Sequence, residues 1–166
     1  VGTRIVPFRG TEMNSTESPD VAGIKRKNII EMALDFTAMI RIFAKDSKAR
    51  IAEKLEEFFL SLAEIQDRDD YEARHRYFCE WFKENIRTAE KKLKNGSVHS
   101  GGASSYGQAA KILDVSSKVF VYYCAQPTPE IAERIVPLLH GAIDTAIMKH
   151  LKKSKAARCR IRGTER

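Results

Sequence analysis

The stretch Asp46-Ser47-Lys48-Ala49-Arg50-Ile51-Ala52-Glu53-Lys54-Leu55-Glu56-Glu57-Phe58-Phe59-Leu60-Ser61-Leu62-Ala63-Glu64-Ile65 decides the fold class. Ile51, Leu55, Phe58, Leu62 and Ile65 follow one another at steps of four, three, four and three. That rhythm matches the turn of an α-helix and puts all five side chains on one face, whereas a half-buried strand would alternate every second residue. Glu53, Glu56 and Glu57 fall off the stripe, on the side left to water. Asp46 and Ser47 offer side-chain oxygens to the first free backbone N–H groups.

Upstream, Ile29, Ala33, Phe36, Ile40 and Phe43 repeat the rhythm and predict a helix over 28–45, led in by Lys25, Arg26 and Lys27. Downstream, Asp67-Arg68-Asp69-Asp70 reads as a turn with Asp70 as the cap of a third helix over 71–94. Tyr71, His75, Phe78, Phe82, Ile86, Ala89 and Leu93 form its stripe, Trp81 widens it, Lys91, Lys92 and Lys94 suit the negative end of the helix dipole, and Asn95-Gly96 stops it. Residues 95–105 hold three glycines and four serines and predict the one long flexible connection. Ser105 and Gln108 have the spacing of a capping box for a fourth helix over 106–124, with Ala109, Ile112, Leu113, Ser116, Val119, Phe120 and Tyr123 inward. Gln126-Pro127-Thr128-Pro129 is a turn, with Thr128 as N-cap and Pro129 in the first helical position. The last helix is expected to run to about 153, kinked or split at Pro137. The chain therefore reads as all-α: a single-domain bundle of about five amphipathic helices over 24–153, between an N-terminal segment 1–23 and a basic flexible tail 154–166. Met13 opens a polar run that resembles a natural start, so the N-terminal segment is expected to be disordered or partly an expression remnant.

With 166 residues, 43% hydrophobic and 31% charged, the composition is that of one globular domain with a core that needs no disulfide staples. Cys79, Cys124 and Cys159 are odd in number and widely spaced, which points to reduced thiols and a cytoplasmic location. No run approaches the about 18 apolar residues of a membrane span, so no membrane partner is expected. The net charge of +7 is concentrated at one end. Lys149 to Arg166 contains eight Lys or Arg and one acid, a net of +7, so the remaining residues, with 21 basic and 21 acidic groups, sum to zero. Lys152, Lys153, Lys155, Arg158, Arg160 and Arg162 are thereby candidate contacts to nucleic-acid phosphates, which basic tails attract by counterion release.

The fourth helix also carries a polar stripe, Gln108, Lys111, Val115, Lys118 and Tyr122, and Asp114 has the spacing to pair with Lys111 and Lys118. His140 and Asp144 are four apart in the last segment. If the two helices pack antiparallel, Gln108, Lys111 and Lys118 become ligand-binding candidates facing His140 and Asp144. His75, His99, His140 and His150 have no zinc-motif spacing, so no metal or cofactor is expected from sequence alone. Walker and nucleophile-elbow motifs are absent as well.

Tyr106-Gly107-Gln108-Ala109-Ala110-Lys111 together with Leu139-His140-Gly141-Ala142-Ile143-Asp144 resembles a pattern in small all-helical bacterial proteins without a settled activity, in which a Gly-Gln-Ala-x-Lys helix precedes a Leu-His-x-x-Ile-Asp segment. The resemblance covers 104–151 and implies that Gln108, Lys111, Lys118, His140 and Asp144 belong together. That pattern has asparagine where this chain has Asp114. Arg134 and His140 also resemble the Arg–His spacing of the HEPN ribonucleases, where the resemblance implies that Arg steadies a phosphate and His moves a proton. Three function classes follow: nucleic-acid binding through the tail and the Lys111–Lys118 face; a metal-independent ribonuclease using Arg134, His140 and Asp144; and a helical interaction module, one that self-associates included, presenting the aromatic face of the third helix.

Overall fold

A computed structural model describes residues 20–92, 96–142, 147, 149 and 150. The molecule is all-α, built on α1 (Val21–Phe36), α2 (Ser47–Leu60), α3 (Arg68–Asn85), α4 (Tyr106–Ser117) and α5 (Pro129–Ile135). Strand structure among the described residues is confined to a two-residue antiparallel ladder, β1 (Lys91–Lys92) with β2 (Val98–His99). One apolar cluster, contributed by all five helices, forms the core. The tail beyond His150, with the six Lys and Arg picked out from sequence, lies outside the described residues, as does Asp144.

The α2 stripe is buried as its spacing predicts: Ile51, Leu55, Phe58, Leu62 and Ile65 all belong to the core. Ser61 to Glu64 tighten into a 3-10 turn, so Leu62 and Ile65 reach the core from beyond the helix end. Asp46 sits at the N-cap position but makes no side-chain cap bond. At α3 the cap is Asp67, which accepts from the Asp70 backbone N–H at 2.9 Å, in place of the expected Asp70.

Of the first stripe, Ile29, Ala33 and Phe43 are buried and Ile40 is partly buried, but Phe36 is not. Ile29, Ile30, Ala33 and Leu34 are buried, and Thr37 follows them inward with its hydroxyl donating to the Leu34 carbonyl at 3.1 Å. Phe36 stands two residues from Leu34, about 200° round the helix, and is 78% exposed. The helix then ends, a 3-10 turn spans Ala38–Ile42, and Phe43 is buried from an extended conformation.

The third helix stops at Asn85, nine residues short of the expected end. Its continuation finds partners from distant chain. Ala44 N–H donates to the Arg87 carbonyl at 2.9 Å, Ala89 N–H to Ile42 at 2.8 Å and Thr88 N–H to Gly102 at 2.9 Å. Ser104 donates its hydroxyl to Phe82 O at 3.0 Å and its N–H to Ile86 O at 3.2 Å. Residues 42–44, 86–89 and 102–104 thus form a bonded strap across the helix end. Lys91 and Lys92 belong to the short ladder, not to a helical last turn. The glycine at 101 is required here, because a Cβ would lie 2.0 Å from the Thr88 carbonyl oxygen.

Ser105 and Gln108 make the full capping box expected of them. After Ser117 the helix widens to a π-helical turn over Lys118–Tyr123, which shifts the phase: Val119, Phe120 and Val121 are buried and Tyr123 turns out to solvent. Thr128 caps α5, with Pro129 at its start. Helix α5 has only seven residues, and Pro137 lies in a 3-10 turn, Val136–Leu138, after which Leu139 is extended. Regular helix thus ends just before Pro137, the position at which a kink or split is expected. α5 packs on the π-helical turn that continues α4 and on residues 61–64, and the chain after Pro137 brings Leu139, His140 and Gly141 beside Gly107, Ala110 and Lys111 of α4.

These burials separate two phenylalanines that sequence periodicity treats alike. Phe82→Ala should destabilise the fold by about 3–5 kcal/mol, the usual cost of deleting a core aromatic. Phe36→Ala should change stability by no more than about 0.5 kcal/mol, as exposed substitutions do. Urea denaturation of the two variants checks this, and a Phe36→Ala loss equal to that of Phe82→Ala would contradict the placement of α1.

Candidate functional site

Helix α3 turns Tyr71, His75, Phe78, Cys79 and Phe82 into the core. Four of these are apolar or aromatic; His75 is the exception and needs a polar partner when buried. It finds one on α4. His75 Nε2 lies 2.9 Å from Asp114 Oδ1, with both side chains almost wholly buried (5% and 7% exposed). The other ring nitrogen, Nδ1, lies 3.8 Å from Cys79 Sγ, one helical turn on.

A third titratable group arrives from the chain after Pro137. Arg68, in the first turn of α3, donates to the Pro137 carbonyl at 3.0 Å, and Arg134 donates to the Ala63 carbonyl at 2.9 Å. These two bonds tie the 3-10 turn down against α3 and the end of α2. The extended Leu139 then delivers His140, whose Nδ1 lies 4.0 Å from Asp114 Oδ1. The two imidazoles are 4.5 Å apart between centroids, and the Tyr71 ring meets His140 edge-on at 5.4 Å. His140 keeps a third of its side-chain surface in solvent. One ligand-type atom from each of His75, Asp114 and His140 lies within 4.8 Å of the others.

The three residues form one wall of a cavity of about 790 Å³. Lys111, one turn before Asp114 on α4, lines it too, with Tyr106, Gly107, Ala110, Leu139 and Gly141. No carboxylate lies within ion-pair distance of Lys111 among the described residues. The volume is within the range of about 300–1,000 Å³ usual for small-ligand sites.

Of the residues singled out from sequence, Lys111 and His140 meet at this cavity. Gln108 is used locally: its Oε1 accepts from the Ser105 N–H at 2.8 Å as half of the capping box. Lys118 is exposed where the π-helical turn begins and does not line the cavity. Arg134 is held by the Ala63 carbonyl and does not line it either. Asp114, read as a partner for Lys111 and Lys118, turns inward to His75 instead. His75 keeps the spacing of an apolar stripe; what sets it apart in the sequence is that it is a lone histidine in an otherwise aromatic row, four residues before a cysteine. The aromatic face of α3 is core: Phe78 and Phe82 are buried, and only Tyr77 among its large aromatics is well exposed.

Cys79, His75 and Asp114 follow one another like a nucleophile–base–acid chain, but the thiol does not suit that role. Burial pushes it up to about 12; the neighbouring Tyr106 hydroxyl offsets part of this, and the Asp114 charge adds to it. Nucleophilic cysteines have the opposite shift and are reachable. Burial, and then the charge of Asp114, likewise raise the Tyr71 phenol, so it stays neutral. Iodoacetamide at pH 8.5 should therefore leave Cys79 unlabelled in the native protein and modify it only after denaturation, as read by peptide mass spectrometry. Rapid labelling of native Cys79, ahead of the partly exposed Cys124, would contradict this environment.

Among the described residues no helix is long and apolar enough to cross a membrane. No family model, no curated protein and no solved structure matches this chain, so the reading of the cavity rests on its own geometry.

Proposed function

We propose that the protein binds nucleic acid, with one phosphate of the strand entering the cavity beside Lys111 and His140 and the basic tail engaging phosphates outside it. The observation that carries this reading is Lys111: a cation lining a cavity that His75 and His140 also line, with no carboxylate partner among the described residues. A lysine in that position acts as a point charge for a phosphate. The cavity is of nucleotide scale, and its Tyr106 and Leu139 sides offer apolar surface to a base or sugar. The tail, with its net charge of +7 against a neutral remainder, adds the non-specific attraction that nucleic-acid binders use. The free, buried Cys79 suits a reducing compartment, and we place the protein in the cytoplasm.

Strand cleavage is the second reading, favoured by His140, an imidazole that keeps a third of its side chain in solvent, 4.0 Å from the buried Asp114 carboxylate, and so is placed to move a proton at the cavity. In this reading Arg134 serves the fold, through Ala63, more than the chemistry, which departs from the HEPN scheme. Cleavage of RNA that is lost in His140→Ala and kept in Arg134→Ala would select it.

Binding is tested by fluorescence anisotropy with short single-stranded RNA and DNA between 50 and 200 mM salt. Affinity should fall steeply with salt, and Lys111→Gln should weaken binding several-fold and lower the salt slope by about one. Deletion of 152–166 should lower the slope further. No binding at 50 mM salt, or binding indifferent to Lys111, would overturn the proposal.

A further inference from the structure

The cavity described above has an electrostatic problem. Asp114 places a carboxylate on the same wall as the two imidazoles, and at neutral charge on those rings Lys111 only balances it. A phosphate would then meet a wall with no net positive charge. A divalent cation on the carboxylate and the two histidines would reverse that balance.

We propose that His75 Nε2, Asp114 Oδ1 and His140 Nδ1 form a three-ligand site for a divalent first-row transition metal of the zinc class, open on its fourth side to the cavity. The inference rests on the same cavity as the function proposed above, and it stands on separate observations. Two imidazole nitrogens and one carboxylate oxygen are a donor set that suits such ions, and three protein ligands with an open position mark sites where the metal meets water or substrate. Ligand atoms around a metal with bonds of about 2.1 Å are about 3.0–3.4 Å apart. The observed separations are 2.9 Å for the His75–Asp114 pair and 4.0 Å for His140–Asp114, with all three atoms inside 4.8 Å. Closing the set requires His140 to move inward by roughly one to two ångströms. That residue sits in non-helical chain beside Gly141, where a Cβ would meet nothing within 4 Å.

The far side of His75 fits as well. Without metal, its Nε2–H donates to Asp114. A metal on Nε2 requires the proton on Nδ1, where Cys79 Sγ is the acceptor at 3.8 Å. The change is one of tautomer, with no net proton gained or lost by the ring. Histidine ligands commonly give their second N–H to a neighbour that fixes the ring in this way. Cys79 is not the fourth ligand, because it faces Nδ1, the ring nitrogen turned away from the metal.

The test uses the full chain stripped with EDTA and titrated with Co²⁺, read by its visible absorption, and with Zn²⁺ by calorimetry. One ion per chain should bind, with visible bands of a four- or five-coordinate cobalt site, and Zn²⁺ should displace it. His140→Ala should weaken metal binding by about 100-fold or more. Because His140 lies in non-helical chain and is partly exposed, its removal spares the helical core; circular dichroism confirms folding before titration. Lys111→Gln should bind metal as the parent does. Loss of nucleic-acid binding in Lys111→Gln with intact cobalt spectra would keep the metal site while separating it from the anion. Absence of a stoichiometric ion, or affinity unchanged in folded His140→Ala, would overturn the metal site and leave the anion proposal standing on its own salt and Lys111 tests.

Discussion

The arrangement of the site depends on one buried hydrogen bond, between His75 of α3 and Asp114 of α4. A carboxylate taken out of water costs several kcal/mol unless a donor replaces the lost solvent. Asp114 is on the buried side of α4 among Ile112, Leu113, Ser116 and Ser117, so the α4 face could equally have been apolar. Packing alone would hold α3 and α4 together, since they form the most extensive helix pair of the molecule. The polar pair adds a directional constraint: the helices must keep the rotation and register that bring Nε2 and Oδ1 to 2.9 Å. With that register set, His140 settles against both the Tyr71 and the His75 rings.

The second constraint is the anchoring of the chain after α5. Leu139 and His140 lie outside regular helix, where backbone groups have no automatic partners. Arg68 supplies one by donating to the Pro137 carbonyl, and Arg134 fastens α5 to the 3-10 turn after α2. A pair of arginines, both on the protein surface, thus holds the chain that leads to the His140 imidazole. The distance from His140 to Asp114 is a property of those two anchors as much as of the residues themselves.

Much of the bundle could be read from local rules. The α2 stripe, the Ser105–Gln108 box and the Thr128–Pro129 start depend on neighbours three or four residues away, and each formed as its spacing implies. Phe36 keeps the helical rhythm of Ile29 and Ala33 but faces water, because Leu34 and Thr37 take the inward positions on either side of it. The end of α3 could not be read locally: Ile86, Ala89 and Leu93 continue a helical rhythm, but carbonyls and N–H groups from 42–44 and 102–104 compete for that backbone and win. The site divides the same way. Lys111 and His140 stood out as polar residues on otherwise patterned segments. His75 did not, because its partner is 39 residues away, and the i,i+3 and i,i+4 rule directed Asp114 toward Lys111 and Lys118 on its own helix.

That rule fails here for a reason that also explains the cavity. Three residues on an α-helix correspond to about 300° of rotation, so Lys111 and Asp114 are about 60° apart round α4. Asp114 falls on the buried side of this division and Lys111 on its edge, where a long stem carries the ammonium to the cavity while staying hydrated. The two opposite charges therefore share a cavity without pairing. Whatever neutralises Asp114 releases the full effect of Lys111 on an incoming anion. A cation on the carboxylate and a phosphate beside the lysine would then strengthen each other, and linkage requires the two enhancements to be equal: the factor by which metal tightens the anion is the factor by which the anion tightens the metal.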